Sequence, residues 1–287
     1  MPENLDIYVD RIETVADSDH YVLSRLLKGL DDSGLSYRFR ESVDGRDLAP
    51  RAFVHIDLTE LPQRFHQIDK LYPQVINGQA VSIDRRRYSR AMLERGSDYA
   101  GPVISKSIYN HRGVPEFNYQ RRRNLSARVG HLFNKLIKPH YKQLRCPHYE
   151  VHETLAAVPD SVWTNPEQIV ERFLPGSLEL PIEKHRYNFF YDYEFTTRST
   201  FESLLCNPDK VVEVDEAEGR VPDEVRNVRE MLHLDYGSID YFMVDDKAYV
   251  IDANKTTTTG DSWIDAYPVI AEYMRCMQQK MIEFVKG

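Results

Sequence analysis

Cysteine is scarce in this chain. The three present, Cys146, Cys206 and Cys276, are odd in number and widely spaced, and no CxxC pair occurs. That excludes a disulfide framework and a cysteine-based zinc site, and reduced thiols of a cytoplasmic protein are the simpler expectation. No apolar run is long enough to cross a bilayer, so no membrane partner is expected. The first residues, Met1-Pro2-Glu3-Asn4, carry neither a basic nor an apolar region of the kind a signal peptide needs. Positive charge is also in deficit. The formal net charge is −8, which argues against nucleic acid as the main partner. What remains is ordinary for a globular protein: 287 residues, 41% hydrophobic and 29% charged, enough to bury a substantial core.

The first third alternates strand and helix. Strands are expected at 5–9, 37–40, 52–56 and 74–76. Val22, Leu23, Leu26, Leu27 and Leu30 recur at helical spacing, with caps offered by Asp17-Ser18-Asp19 and a stop at Gly34. A second helical stretch is expected through Phe65, Ile68 and Leu71, and Asn77-Gly78 reads as a turn pair. Such alternation predicts a small, mainly parallel α/β sheet. The middle holds the short strand Pro102–Lys106 and a basic segment, 112–142, with helical spacing through Val129, Leu132, Phe133 and Leu136. Later come a strand at 169–174, an aromatic-rich strand at 185–195, a helix at 222–232, a β-hairpin at 238–252 and a final helix. That helix carries Ile270, Met274, Met277, Met281 and Phe284 on one face.

The hairpin carries the chemistry. If Asp245-Asp246-Lys247 form its loop, Val244 faces Ala248, Phe242 faces Val250 and Asp240 faces Asp252, with Asn254 on the same side. Two opposed carboxylates repel, and a divalent cation reverses that interaction. Oxygen ligands of this kind suit magnesium, which takes one or two carboxylates plus nucleotide phosphates. The reading depends on loop parity, because a two- or four-residue loop places Asp252 on the other face. The bland alternative is an acidic pair at a wet sheet edge. The polar run Lys255 to Gly260 that follows lies where a ligand would need donors.

These residues resemble the ATP-grasp superfamily, which includes D-alanine–D-alanine ligase and glutathione synthetase. Members end the nucleotide site with an acidic residue, a hairpin and an acidic-x-Asn element, and Asp240 with Asp252-Ala253-Asn254 is similar in order and spacing. The resemblance implies an α/β protein of α+β lobes: an N-terminal α/β lobe over residues 1–85, a central lobe over 86–168 and a C-terminal lobe with the metal hairpin over 169–287. It further implies ATP with one or two Mg²⁺ ions. Arg90 and Lys106 would hold phosphates, and Glu171, Phe173 and Leu174 would receive adenine and ribose. Asp240, Asp252 and Asn254 would hold the metal, and Arg186 would stabilise the transferring phosphoryl group. Arg121, Arg122, Arg123, Arg128, Lys255 and Thr256 stand as substrate candidates for a small carboxylate or a peptide. Many members are homodimers, so the resemblance leaves that open.

Four departures stand out. Aspartate replaces the usual glutamate at 252, arginine replaces lysine at 90, the loop Ser107–Gly113 is poor in glycine, and no arginine precedes Asp240 in its strand. The expected activity is an ATP-dependent ligase that makes an acyl phosphate for attack by an amine or thiol. A phosphotransferase on the same fold, or a non-catalytic nucleotide sensor or scaffold, are the alternatives. For Lys106, Glu171 and Arg186 taken singly, a strand terminus, a surface ion pair and a stacked structural arginine serve as well.

Overall fold

The computed structural model describes residues 3–12, 21–123, 148–175, 178–259 and 261–287, the side chains of 121–123 and 261 excepted. The expected caps at 17–19, the helical spacing at 129–136 and Arg128 lie outside the described residues, as do the side chains of Arg121, Arg122 and Arg123.

The N-terminal sheet is parallel throughout, in the order β2-β1-β3-β4, with β1 Leu5–Tyr8, β2 Tyr37–Arg40, β3 Arg51–Val54 and β4 Val75–Ile76. The first helix, α1 (Val22–Asp32), forms where the leucine spacing predicts it and stops at Ser33, with Gly34 at φ +67° in the left-handed conformation that closes helices. The stretch read as a second helix is instead a 3₁₀ turn, Gln63–Phe65, and a single turn, Ile68–Leu71. It is too short for the helix to be sustained by its own propensity.

The central lobe is a three-stranded antiparallel sheet, β6-β5-β7, built from β5 Val103–Ser107, β6 Glu150–His152 and β7 Gln168–Arg172. Helix α2, Val114–Arg123, follows the loop after β5. The C-terminal lobe is a five-stranded antiparallel sheet in the order β10-β9-β8-β11-β12. Its strands are β8 Ile182–Phe190, β9 Tyr193–Phe201, β10 Val211–Glu216, β11 Tyr236–Val244 and β12 Lys247–Asn254. The aromatic run expected as one strand at 185–195 is thus a hairpin. It reverses at Tyr191, held at φ +51°, with no glycine to announce the turn. Helix α3 (Asp223–Met231) packs Val225 and Val228 against this sheet.

The last helix, α4 (Pro268–Lys286), returns to the first lobe. Ile270, Met274, Met277 and Met281 bury against Leu23, Leu26 and Leu30 of α1. Each such side chain contributes about 1.5–3 kcal/mol when fully removed from water, so the two chain ends are fastened together by one apolar seam. Asn77, read from sequence as a turn residue, does more than turn. Its backbone N–H donates to Asp235 Oδ2 at 2.8 Å, its Nδ2 donates to the Tyr236 carbonyl at 2.9 Å, and its Oδ1 accepts from the Asp235 and Tyr236 amides. At φ +56° and fully buried, it bolts the edge of the parallel sheet to the start of β11.

Candidate functional site

Three lobes meet around a cleft of about 1100 Å³. The hairpin β11–β12 forms its floor. Its loop is two residues, Asp245 and Asp246, both left-handed at φ +49° and +60°. Val244 therefore faces Lys247, Met243 faces Ala248 and Phe242 faces Tyr249, which corrects the expected pairing of a three-residue loop. That parity alone would turn Asp252 away from Asp240. A β-bulge between Asp240 and Tyr241 absorbs one extra residue on β12, and Asp240 ends opposite Asp252 after all. Gly237 lets the hairpin's far end close: a Cβ there would collide with the Asn254 carbonyl.

The two acids are not held alike. Asp240 is buried and accepts from Lys184 Nζ at 2.9 Å and from Arg186 Nε and Nη2 at 2.6 and 3.0 Å. Burial works against its charge, but Arg186 and Lys184 outweigh burial and hold the carboxyl far below its ordinary range. Arg186 is held protonated in turn, chiefly by Asp240. Both cations lie on β8, beside β11, with Arg186 in register with Asp240. They supply the charge that the sequence lacks before Asp240 in its own strand. Asp252 is more open, its side chain 25% exposed, and only Oδ1 accepts hydrogen bonds among the described residues, from Arg85 at 2.8 Å and from the Ala253 amide at 3.1 Å. Asn254 accepts from Asn110 Nδ2 at 2.8 Å through its side-chain oxygen. Among the described residues no three or more His, Cys, Asp or Glu side chains gather as a ready metal cage. A magnesium site that completes itself with phosphates does not require one.

The roof comes from the central lobe. Lys106, at the end of β5, forms a buried ion pair with Glu171 of β7, and Glu171 Oε1 has no hydrogen-bond partner among the described residues. Phe173 and Leu174 line the cleft beside them. The Phe173 amide already donates to the Pro102 carbonyl at 2.9 Å, so its N–H is engaged within the protein. After Lys106 the chain takes left-handed backbone at His111, Arg112 and Gly113, φ +43°, +61° and +79°. The loop is poor in glycine, yet it adopts conformations that glycine would accept without cost.

Arg85 was not singled out by sequence. Only 2% of its side chain is exposed, and it donates to Asp252, to the Ser107 and Tyr109 carbonyls at 3.0 and 2.6 Å and to the Tyr149 hydroxyl at 3.1 Å. Burial disfavours its charge, but Asp252 and the surrounding tyrosines hold it firmly protonated. The signal available was the basic run Arg85-Arg86-Arg87 after Asp84, which a 3₁₀ turn splits into one buried and two exposed arginines. Arg90, five residues on, is exposed and outside the cleft lining; its carbonyl accepts from Arg172. Lys255 and Thr256 are buried behind the hairpin, not in the cleft lining. Lys255 Nζ reaches the Ala80 carbonyl at 3.4 Å and Thr256 donates to Asp57 at 2.8 Å. Four cations (Arg85, Lys106, Lys184, Arg186) thus interleave with three carboxylates (Glu171, Asp240, Asp252), one positive charge more than negative among them.

No family model matches the sequence, and no curated protein matches it. Solved structures do match in shape, and the chain has the ATP-grasp fold. The ATP-grasp ligase PsnB, complexed with a minimal precursor, superposes with a TM-score of 0.50 at 10% identity, covering 98% of this chain and 99% of that one. An ATP-grasp RimK-domain protein from Sphaerobacter thermophilus gives 0.49 at 11% identity, covering 98% and 100%. D-alanine–D-alanine ligase from Bacillus anthracis gives 0.47 at 11%, covering 99% of each chain. At such identities the likeness concerns the fold alone.

Proposed function

We propose that this protein binds MgATP in the interlobe cleft and acts as an ATP-dependent ligase, activating a carboxylate as an acyl phosphate that an amine or thiol then attacks. The observation that carries the reading is the convergence of Arg85, Lys106, Lys184 and Arg186 with the two hairpin aspartates on one cleft, drawn from separate segments of the chain. Phosphoryl transfer needs positioning and charge neutralisation more than covalent help, and cations fixed by ion pairs supply both.

On this reading Lys106 exchanges Glu171 for a phosphate oxygen, which frees the Glu171 carboxylate to accept from the ribose or adenine. Phe173 and Leu174 give the base an apolar wall. Arg85, in the 3₁₀ turn Arg85–Arg87, takes the phosphate-binding role that the resemblance gives to Arg90. Asp252, whose Oδ2 accepts no hydrogen bond among the described residues, would hold a magnesium ion; Asn254, outside the cleft lining, would join it by giving up Asn110, and Asp240 by giving up Lys184 and Arg186 to the phosphates. The ion, when bound, neutralises charge on the β- and γ-phosphates. Arg186 is placed to stabilise charge on the transferring group.

The test is ADP release by the purified protein with MgATP and a panel of acids and nucleophiles. Release that needs both an acid and a nucleophile supports the ligase. A stable phosphorylated product with no nucleophile would make it a phosphotransferase, and tight MgATP binding with no turnover on any pair would make it a sensor.

A further inference from the structure

Asn254 is set apart from the other candidate metal ligands. Asp240 and Asp252 line the cleft, and Asn254 does not. What lines the cleft beside it is Asn110, whose Nδ2 donates to Asn254 Oδ1 at 2.8 Å. Both residues are buried. A carboxamide N–H is a donor with partial positive charge and cannot ligate a cation. The donor therefore stands against the oxygen that a magnesium ion would need.

Three bonds fix Asn110. Besides the bond to Asn254, its backbone N–H donates to Thr59 Oγ1 at 2.9 Å, and its Oδ1 accepts from the His111 amide at 2.9 Å. With the oxygen engaged by its own turn, the amide nitrogen is delivered to Asn254. Thr59 lies beyond the end of β3, past His55 and Asp57, which line the cleft with Asp10 from beyond β1. The Thr59 amide donates in turn to Glu116 Oε1 of α2 at 2.7 Å. A chain of hydrogen bonds thus runs from α2 through the N-terminal lobe and the loop after β5 to the metal hairpin. A second anchor holds the same loop, because Arg85 takes the Ser107 and Tyr109 carbonyls while it pairs with Asp252.

The anchored loop is under strain. His111 and Arg112 are left-handed without being glycine, a costly backbone that persists only where its surroundings over-determine it. At the far end of the chain, Glu116 Oε2 is buried with no hydrogen-bond partner among the described residues, and burial raises that carboxyl above its ordinary range.

We propose that Asn110 is an autoinhibitory plug: in the nucleotide-free protein it covers the side-chain oxygen of Asn254, and MgATP displaces it and frees the turn at 110–113 from the hairpin. Phosphate draws Arg85 from the Ser107 and Tyr109 carbonyls and so removes one anchor. Magnesium at Asn254 Oδ1 removes the other, and the strained turn relaxes. ATP without metal releases the first anchor only. This inference rests on the MgATP reading of the cleft and adds the device that keeps the site closed until nucleotide and metal are both present.

Asn110→Ala removes the plug and leaves every residue assigned to nucleotide or metal in place. It should bind MgATP about threefold to tenfold more tightly than the wild type, since one hydrogen bond no longer has to be broken. Affinity for metal-free ATP should stay unchanged, and the thermal midpoint should fall. Asn110→Asp keeps an acceptor for the His111 amide but has no donor for Asn254; it guards against collapse of the turn and should shift MgATP affinity in the same direction. A merely structural asparagine would lower the midpoint and leave MgATP binding unchanged or weaker. Hydrogen exchange of the wild type reads the release itself: the Asn110 and His111 amides should exchange at least threefold faster with MgATP than with ATP and excess chelator. Unchanged or weaker MgATP binding in the variants, or exchange at those amides that magnesium slows or leaves unaltered, would overturn the proposal. Failure of the wild type to bind MgATP would instead overturn the nucleotide reading, and the plug with it.

Discussion

Asp252→Asn is expected to change nucleotide affinity in opposite directions with and without magnesium. The substitution keeps the shape and an oxygen for Arg85 but removes one negative charge from the cleft. Breaking a buried ion pair by removing one partner costs about 3–5 kcal/mol. Here Asp252 is 25% exposed and Arg85 keeps the Ser107 and Tyr109 carbonyls and the Tyr149 hydroxyl, so the loss of stability falls to about 1–2 kcal/mol. For metal-free ATP the lost carboxylate was repulsive. Two unit charges a few ångströms apart near a surface interact by about 3–4 kcal/mol, and screening at a partly open side chain leaves about 1 kcal/mol, or roughly fivefold tighter binding. For MgATP an oxyanion ligand is gone, and binding weakens about tenfold to a hundredfold. Displacement of a fluorescent ATP analogue, with magnesium and with excess chelator, reads both constants on one sample. Weaker binding in both conditions would make Asp252 a structural residue only, and no change in either would remove it from the site.

Lys106→Met should destabilise by about 3–5 kcal/mol because it strands the buried Glu171 carboxylate, and Lys106→Met with Glu171→Gln should recover most of that stability but not MgATP binding; urea unfolding and nucleotide titration check the pair, and a single variant as stable as the wild type would contradict the ion pair. At the hairpin turn, Asp245→Asn with Asp246→Gly suits two left-handed positions better and should raise the thermal midpoint by about 2–4 °C without touching MgATP affinity; a lower midpoint would contradict the two-residue turn. Acid should unfold the protein partly through His55. Its folded pKa of about 4 lies below the ordinary 6.5, so the unfolded chain takes up the proton first, and stability present above about pH 6.5 is lost as pH falls toward 4. About 2 kcal/mol of the loss between pH 7 and 5 should vanish in His55→Leu, measured as the difference in urea unfolding free energy; an unchanged loss would mean that His55 is accessible and titrates normally.

The fold was legible where one physical rule dominates. Leucines at helical spacing gave α1, and period-two alternation with a polar break gave the β11–β12 hairpin. Strand–helix alternation gave a parallel sheet at the N-terminus. The register of the hairpin was reached by compensation of two features that sequence does not separate: the loop is one residue shorter than expected, and a bulge restores the parity. Asp240 and Asp252 are opposed for that reason. The turn at Tyr191 was illegible because the residue is left-handed without being glycine. Arg85 was illegible because adjacent arginines look alike until a 3₁₀ turn buries one of them. The acids and His55 at the ends of β1 and β3 share no local pattern at all. They meet only through the parallel sheet, and the two ring nitrogens of His55, without a partner among the described residues, are a feature of three dimensions alone.

Both candidate metal acids are already bonded to protein cations, Asp240 on both oxygens and Asp252 on one. Magnesium without nucleotide must compete with those cations, whereas ATP draws Arg85, Lys184 and Arg186 toward its phosphates and frees the acids for the metal. Calorimetric titration with magnesium alone, ATP alone and MgATP therefore tests the account most directly. The account predicts no binding heat for magnesium alone, weak binding of ATP and markedly tighter binding of MgATP. Binding of magnesium alone as strongly as with nucleotide, or no binding of MgATP, would contradict it.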